Sequence, residues 1–240
     1  RIRAGHPWIF SNELADSPKG VQAGTPIQLQ DSKGQFLAYG YGNPHSLISF
    51  RSLSFDSKDR EACSVDFVTR RILKAWWARK MLGYQRSFRM VFGEGDFLPG
   101  LVIDRYLVEQ NGKRAQVLAV QILTAGMDLL LNNSEFFFKN LVEEVFKSQL
   151  SEFNWEHTAI VICKDVNIRR LEGLEVLDRK MLKPVEGFDF ENIDILLDSR
   201  FGTKEIPMAT DIIGGQKTGF FLDQVHNIQT LCNLLERIEF

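Results

Sequence analysis

Cysteine is scarce and scattered. Cys63, Cys163 and Cys232 are three in number and far apart, which excludes a paired disulfide framework and fits a reducing, cytoplasmic setting. The four histidines, His6, His45, His157 and His226, are equally dispersed, so no Cys or His pair has zinc-site spacing and no metal is expected. No run approaches the 18 or so apolar residues of a membrane span, and the amino end lacks the basic, apolar, small-residue order of a signal peptide. A membrane partner is therefore not expected. Strong charge of either sign is missing too: with a net charge of −2 and a pI near 6.1, any nucleic-acid site must be local.

With hydrophobic residues at 44% and charged residues at 25%, the chain can build true cores. Its 240 residues allow two units and a fragment. Residues 1–63 read as short strands with tight turns. Ile27 and Leu29 alternate with Gln28 and Gln30, Asp31 to Gly34 turns the chain, Phe36 to Tyr41 returns, and Leu47 to Leu53 forms a third strand. Five glycines between Gly20 and Gly42 suggest barrel corners.

From Ser64 the period changes. Val65, Val68, Ile72, Ala75 and Trp76 predict a helix to about Leu82, with Gly83 as its stop. Strands are expected at Leu101–Val108, Val117–Leu123 and Ala159–Cys163. Between the last two, an amphipathic helix turns Phe137, Phe138, Leu141, Val142, Val145 and Phe146 to one side. These elements define a mixed α/β unit over 64–184. A third segment, 185–240, opens at Pro184-Val185-Glu186-Gly187, contains a strand at Ile193–Leu197, and ends in a helix from Gln224 to Glu236.

Three places carry candidate chemistry. No acidic residue falls between Asp66 and Glu94, whereas seven cations do, Arg70, Arg71, Lys74, Arg79, Lys80, Arg86 and Arg89, interleaved with Trp76, Trp77, Tyr84 and Phe88. Cations neutralise phosphates and aromatic faces stack on unpaired bases; a solvated helix face with core tryptophans is the plainer alternative. Glu94, Asp96 and Asp104 lie amid Gly and Pro, either as an acid and base pair or as caps of backbone amides. Gly214 to Asp223 resembles a phosphate loop but fails its spacing, since Gln216 and Asp211 stand where a Walker loop needs glycine. What remains there is either a structural turn or the wall of a small-molecule pocket.

These places, with Gly5-His6-Pro7-Trp8-Ile9-Phe10 and Gly40-Tyr41-Gly42-Asn43-Pro44-His45-Ser46 through Arg51, resemble bacterial large-subunit ribosomal RNA methyltransferases that carry an amino-terminal PUA domain. Glu94 to Asp104 is similar to that group's middle-domain signature, and Gly215 to Gln224 to the approach to its catalytic domain. The resemblance implies an α+β architecture: a PUA-like β-barrel (1–63), a mixed α/β middle domain (64–184) and the first elements of a Rossmann-like methyltransferase domain (185–240). It implies S-adenosylmethionine as donor and ribosomal RNA as partner, with cytosine C5 of 23S RNA as the expected target. Homodimerisation stays open. His6, Trp8, Arg51, Arg70 and Arg71 are then the expected RNA contacts. Lys217, Thr218, Phe220, Asp223 and Gln224 are the expected wall for cofactor or target base.

The catalytic residue is left unassigned, because the family's cysteine lies downstream of these motifs and none of the three here matches it. Val225 and Ile228 depart from the pattern, which has arginine at both places. The chain is also expected to stop short of the glycine loop that holds the donor. A guanine target, or a non-catalytic RNA-binding or ribosome-assembly protein, are the alternatives.

Overall fold

The structure is a computed structural model that describes residues 1–16, 18–131, 134–199 and 204–235. The first four strands, β1 (Trp8–Phe10), β2 (Pro26–Gln30), β3 (Phe36–Gly42) and β4 (Ile48–Ser54), form an antiparallel sheet in the order β1-β4-β3-β2. Each of its three pairings contains a register shift, and such bulges curl a sheet. Its small core is Ile9, Ala38 and Phe50, with Ile27 and Leu29 against them. Leu47 lies outside β4 and is exposed, because the strand begins one residue later.

Helix α1 (Val65–Met81) follows. The Ser64 hydroxyl caps it by accepting from the Phe67 amide at 3.2 Å, and Gly83 lies just past its end. Phe67, Val68, Ile72, Ala75 and Trp76 are buried, whereas Val65, the first residue of the helix, is exposed. Strands β5 (Phe88–Phe92), β6 (Leu101–Gln110) and β7 (Lys113–Ile122) come next. The crossover helices α2 (Ala125–Leu131) and α3 (Glu135–Lys147) then lead to β8 (Thr158–Cys163), which pairs with β7 in parallel, as a helical crossover requires. After the single turn α4 (Ile168–Leu171) come β9 (Lys180–Lys183), β10 (Ile193–Asp198), β11 (Glu205–Thr210) and α5 (Val225–Leu235). The helix expected to reach Glu236 is seen to Leu235; Glu236 lies outside the described residues.

Seven strands make one sheet in the order β11-β10-β6-β7-β8-β9, with β5 and β10 end to end along one edge of β6. Alternate residues face opposite layers. Leu101, Ile103, Leu118, Val120, Ile160 and Ile162 pack under α1 and α3, while Tyr106, Val108, Val117, Ala119, Ala159 and Val161 face the other way. That second layer is covered by Ile212, Phe220, Leu222, Val225 and Ile228. Burial on both faces explains why β6 to β8 read as near-continuous apolar runs.

The expected break at 184/185 therefore falls between two strands of one sheet. The segment after it adds β10 and β11 and roofs one face, and Pro207 in β11 is tolerated because that strand is an edge. In α3 the buried stripe is Phe137, Phe138, Leu141, Val142 and Val145. Phe146, expected among them, is exposed because one further residue rotates the position about 100° off the stripe.

The two sheets meet at a tight junction. Buried Tyr41 donates its hydroxyl to the Pro99 carbonyl at 2.5 Å and lies 2.7 Å from Thr124 Oγ1, and burial pushes its pKa up. A Cβ on Gly126 would lie 2.1 Å from that ring. Gly126→Ala is expected to cost about 1–3 kcal/mol by overpacking, read as a lower urea midpoint.

Candidate RNA interface and the loop around Lys217

The seven cations of the acid-free stretch divide by partner. Arg79 binds Asp96 through two bonds of 2.5 and 2.7 Å, Arg86 pairs with Asp198 and Glu205, and Arg89 grips Asp104 at 2.8 and 2.9 Å. Arg70, Arg71, Lys74 and Lys80 have no ion pair among the described residues. Arg70, Lys74 and Trp77, exposed and spaced i, i+4, i+7 on α1, form a cationic and aromatic stripe. Arg71 lies beside them, its guanidinium 5.1 Å from the exposed Phe97 ring, with its pKa lowered chiefly by burial. Trp76 is in the core, whereas Trp77 is 55% exposed.

The carboxylates of Glu94, Asp96 and Asp104 face cations rather than one another. Asp96 also accepts from the Phe92 amide at 2.6 Å, and Glu94 Oε1 accepts from the Trp8 indole at 2.8 Å and from Arg51 at 3.3 Å. Arg51, expected on RNA, is buried: it bonds Glu172 at 2.8 Å and stands 5.5 Å from the Trp8 ring. Glu172 lies in a stretch that the sequence leaves without a role, 121 residues from its partner. Burial would raise its pKa, but the charge and hydrogen bond of Arg51, with bonds from Asn43 and Ser46, outweigh that and hold it below the ordinary range. His6 is half-buried, its ring 5.9 Å from that of Trp8 and in edge-on contact.

Between β1, β4, the Gly93–Asp96 turn and α4 a cavity of about 570 Å³ opens, with Trp8, Arg51, Glu94 and Glu172 in its wall. The expected RNA residues thus fall in two places. Trp8 and Arg51 line this cavity, while Arg70 and Arg71 lie on α1. The Gly93–Asp96 turn separates them, carrying Glu94 on the cavity side and leading into Phe97 on the other.

The loop before α5 is tied down from beneath. Thr218 is fully buried, donating to Asp104 Oδ2 at 2.5 Å and lying 2.8 Å from the Tyr106 hydroxyl, whose pKa burial pushes up. Phe220 is held there through its backbone, its carbonyl 3.4 Å and its amide 3.3 Å from that hydroxyl. Arg179 donates to the carbonyls of Ile212 at 2.7 Å and Lys217 at 2.5 Å.

Of the five expected cofactor residues, then, Thr218 and Phe220 belong to the fold. Lys217, Asp223 and Gln224 are exposed, with the Lys217 ammonium 3.8 Å from Asp223 and 4.2 Å from the Phe221 ring centre. The loop's glycines serve its own packing, since a Cβ on Gly215 would meet the Asp211 carbonyl oxygen at 2.1 Å. They do not form an open nucleoside cradle, and the described residues alone do not fit S-adenosylmethionine. Val225 and Ile228 pack on the sheet, which accounts for apolar residues at both positions. Leu231, Leu234 and Leu235 on α5 are exposed.

Cys63 donates to the Gly40 carbonyl at 3.0 Å and Cys163 is buried; burial pushes their thiols up to about 11 and about 12. Neither is poised as a thiolate. Among the described residues no cluster of three or more His, Cys, Asp or Glu could hold a metal, and no helix is long and apolar enough to cross a membrane.

Comparison with known proteins first places the class. A family model described as a PUA-like domain matches residues 1–55. Two solved structures share the fold. One is a Streptococcus mutans protein assigned as a SAM-dependent methyltransferase (TM-score 0.62, 14% identity, 97% of this chain and 51% of that one), the other a protein assigned as a methyltransferase in complex with SAH (TM-score 0.63, 17% identity, 97% and 50%). Among curated relatives, the chain is similar to ribosomal RNA large subunit methyltransferase I of Shewanella denitrificans, 32% identical over 229 residues (92% of this chain, 49% of the relative). The enzyme of that name from Citrobacter koseri is 33% identical over 224 residues (91% and 48%). The chain spans about half the length of the curated relatives it matches.

Proposed function

We propose that this chain is the RNA-holding and scaffold portion of an S-adenosylmethionine-dependent methyltransferase acting on large-subunit ribosomal RNA. The observation that carries the reading is the extent of the similarity. An isolated RNA-binding module would match relatives over 1–55 alone, whereas the match to enzymes of that name spans 229 residues. This favours the enzyme over a non-catalytic ribosome-assembly protein.

Roles follow the geometry. The PUA-like unit at the amino end, curled toward a barrel, and the α1 stripe grip RNA, with His6 and Trp8 on one side and Arg70, Arg71 and Lys74 on the other. The seven-stranded sheet is the scaffold, and segment 185–240, seated on it through Asp104 and Tyr106, leads into the methyltransferase domain. The exposed Lys217, Asp223 and Gln224, with the leucines of α5, supply one wall of a site that other residues complete. When bound there, the donor supplies the methyl group.

Cytosine C5 is the proposed target. Its methylation needs a cysteine thiolate to add to the ring. Burial disfavours the thiolate at Cys63 and Cys163, which argues against either in that role.

The gene product is expected to transfer labelled methyl from S-adenosylmethionine to large-subunit RNA and not to small-subunit RNA. Replacing Arg70, Arg71 and Lys74 together by alanine is expected to weaken RNA binding and lower the salt slope of log affinity by about 2, at about 0.7 per phosphate contact on single strands. Transfer to neither RNA, measured by scintillation counting, would refute the reading.

A further inference from the structure

We infer that the cavity between the two sheets is a nucleotide subsite for one unpaired RNA base that carries both an exocyclic amine and a carbonyl, namely cytosine or guanine. The inference rests on the RNA-binding reading and assigns a specificity to it.

The cavity mouth is apolar and open: Leu47 is 79% exposed, Leu171 65% and Ile168 49%. Three large aliphatic side chains held in water around one opening mark a binding site. Trp8 in the wall offers an aromatic face, and stacking on such a face takes any base.

Polar groups then restrict the choice. Glu94 Oε1 already accepts from Trp8 and Arg51, whereas Oε2 has no partner among the described residues and is a free acceptor on an apolar wall. An acceptor there calls for an N–H donor. Arg51 Nε lies buried behind the same wall without a partner, and a small turn of the guanidinium would offer it to a base carbonyl. Adenine lacks the carbonyl. Uracil can offer only its N3–H, flanked by two carbonyls that the Glu94 carboxylate would repel.

Charge orients the nucleotide. Two carboxylates, Glu94 and Glu172, flank Arg51 inside the cavity and would repel a phosphate. At the rim, Arg170 is exposed, with no ion pair among the described residues, and is placed for the backbone outside. The base enters and its phosphate stays out.

The test titrates the 240-residue protein with hexamers of cytidine, adenosine and uridine, followed by tryptophan fluorescence. Cytidine is expected to bind about tenfold tighter than uridine, the scale of one well-placed base contact. Glu94→Gln keeps an oxygen for Trp8 and Arg51 but can present an amide N–H in place of Oε2, and is expected to reverse the order in favour of uridine. Leu171→Glu, at an exposed site that folding tolerates, is expected to weaken cytidine binding about tenfold at unchanged thermal stability. Equal affinity for the three hexamers, or an order unmoved by both variants while ribosomal RNA still binds, overturns the subsite and leaves the RNA reading intact. No affinity for any RNA overturns both.

Discussion

Glu172→Ala is expected to cost about 3 kcal/mol in urea denaturation, the low end for breaking a buried ion pair, because Arg51 keeps its weaker contact with Glu94. The loss lies less in the missing attraction than in an arginine left buried with half its partners. It also takes an acceptor from Asn43, whose side-chain amide bonds both the carboxylate and the carbonyl of Glu172 at 2.9 Å. Replacing Arg51 and Glu172 together by methionine removes both charges and is expected to restore most of the stability. If the double variant loses as much as the single one, shape rather than charge holds the junction.

The same pair gives the junction a pH dependence. The fold holds the Glu172 carboxyl below its ordinary range, so it binds fewer protons folded than unfolded. Its contribution is complete above the unfolded value of about pH 4 and is lost as pH falls through the lower native value. Stability measured from pH 6 downward should therefore fall less steeply in the double methionine variant than in the wild type.

Asp104→Ala is expected to release the loop before α5. The carboxylate is fully buried and receives two bonds from Arg89 and one from Thr218, across 114 residues of sequence. Arg89 is a third exposed and can turn to solvent, so the stability loss is expected at about 2–3 kcal/mol. Local opening is the sharper readout: amide hydrogens from Ile212 to Phe220 should exchange much faster, while those of β7 and β8 keep their protection. Unchanged exchange in the loop would show that Arg179 and the apolar contacts hold it without Asp104.

These two clamps also show where the sequence could be read and where it could not. Helix α1 was legible because its apolar spacing, the Ser64 cap and Gly83 agree, each within a few residues of the others. Strands β6 to β8 were legible because burial on both faces leaves apolar runs. The charge partners were not: Arg51 with Glu172, and Asp104 with Thr218, are joined only by the fold. Strand β5 sits inside the basic stretch, where Arg86 and Arg89 look like RNA contacts until the sheet brings Asp198 and Asp104 to them. Pro184 to Gly187 carries the punctuation of a domain boundary, yet the strands before and after it, β9 and β10, belong to one sheet. Thr218, beside a lysine and between glycines, resembles a ligand contact and is a buried strut.

The central claim is that a chain of net charge −2 grips RNA through a local cationic face. The most direct measurement is the affinity of the 240-residue protein for large-subunit ribosomal RNA between 50 and 200 mM salt. We expect binding that weakens linearly in log salt, with a slope that flattens when Arg70, Arg71 and Lys74 are replaced by alanine. No binding at the lowest salt, or a slope the triple variant leaves unchanged, would contradict the account.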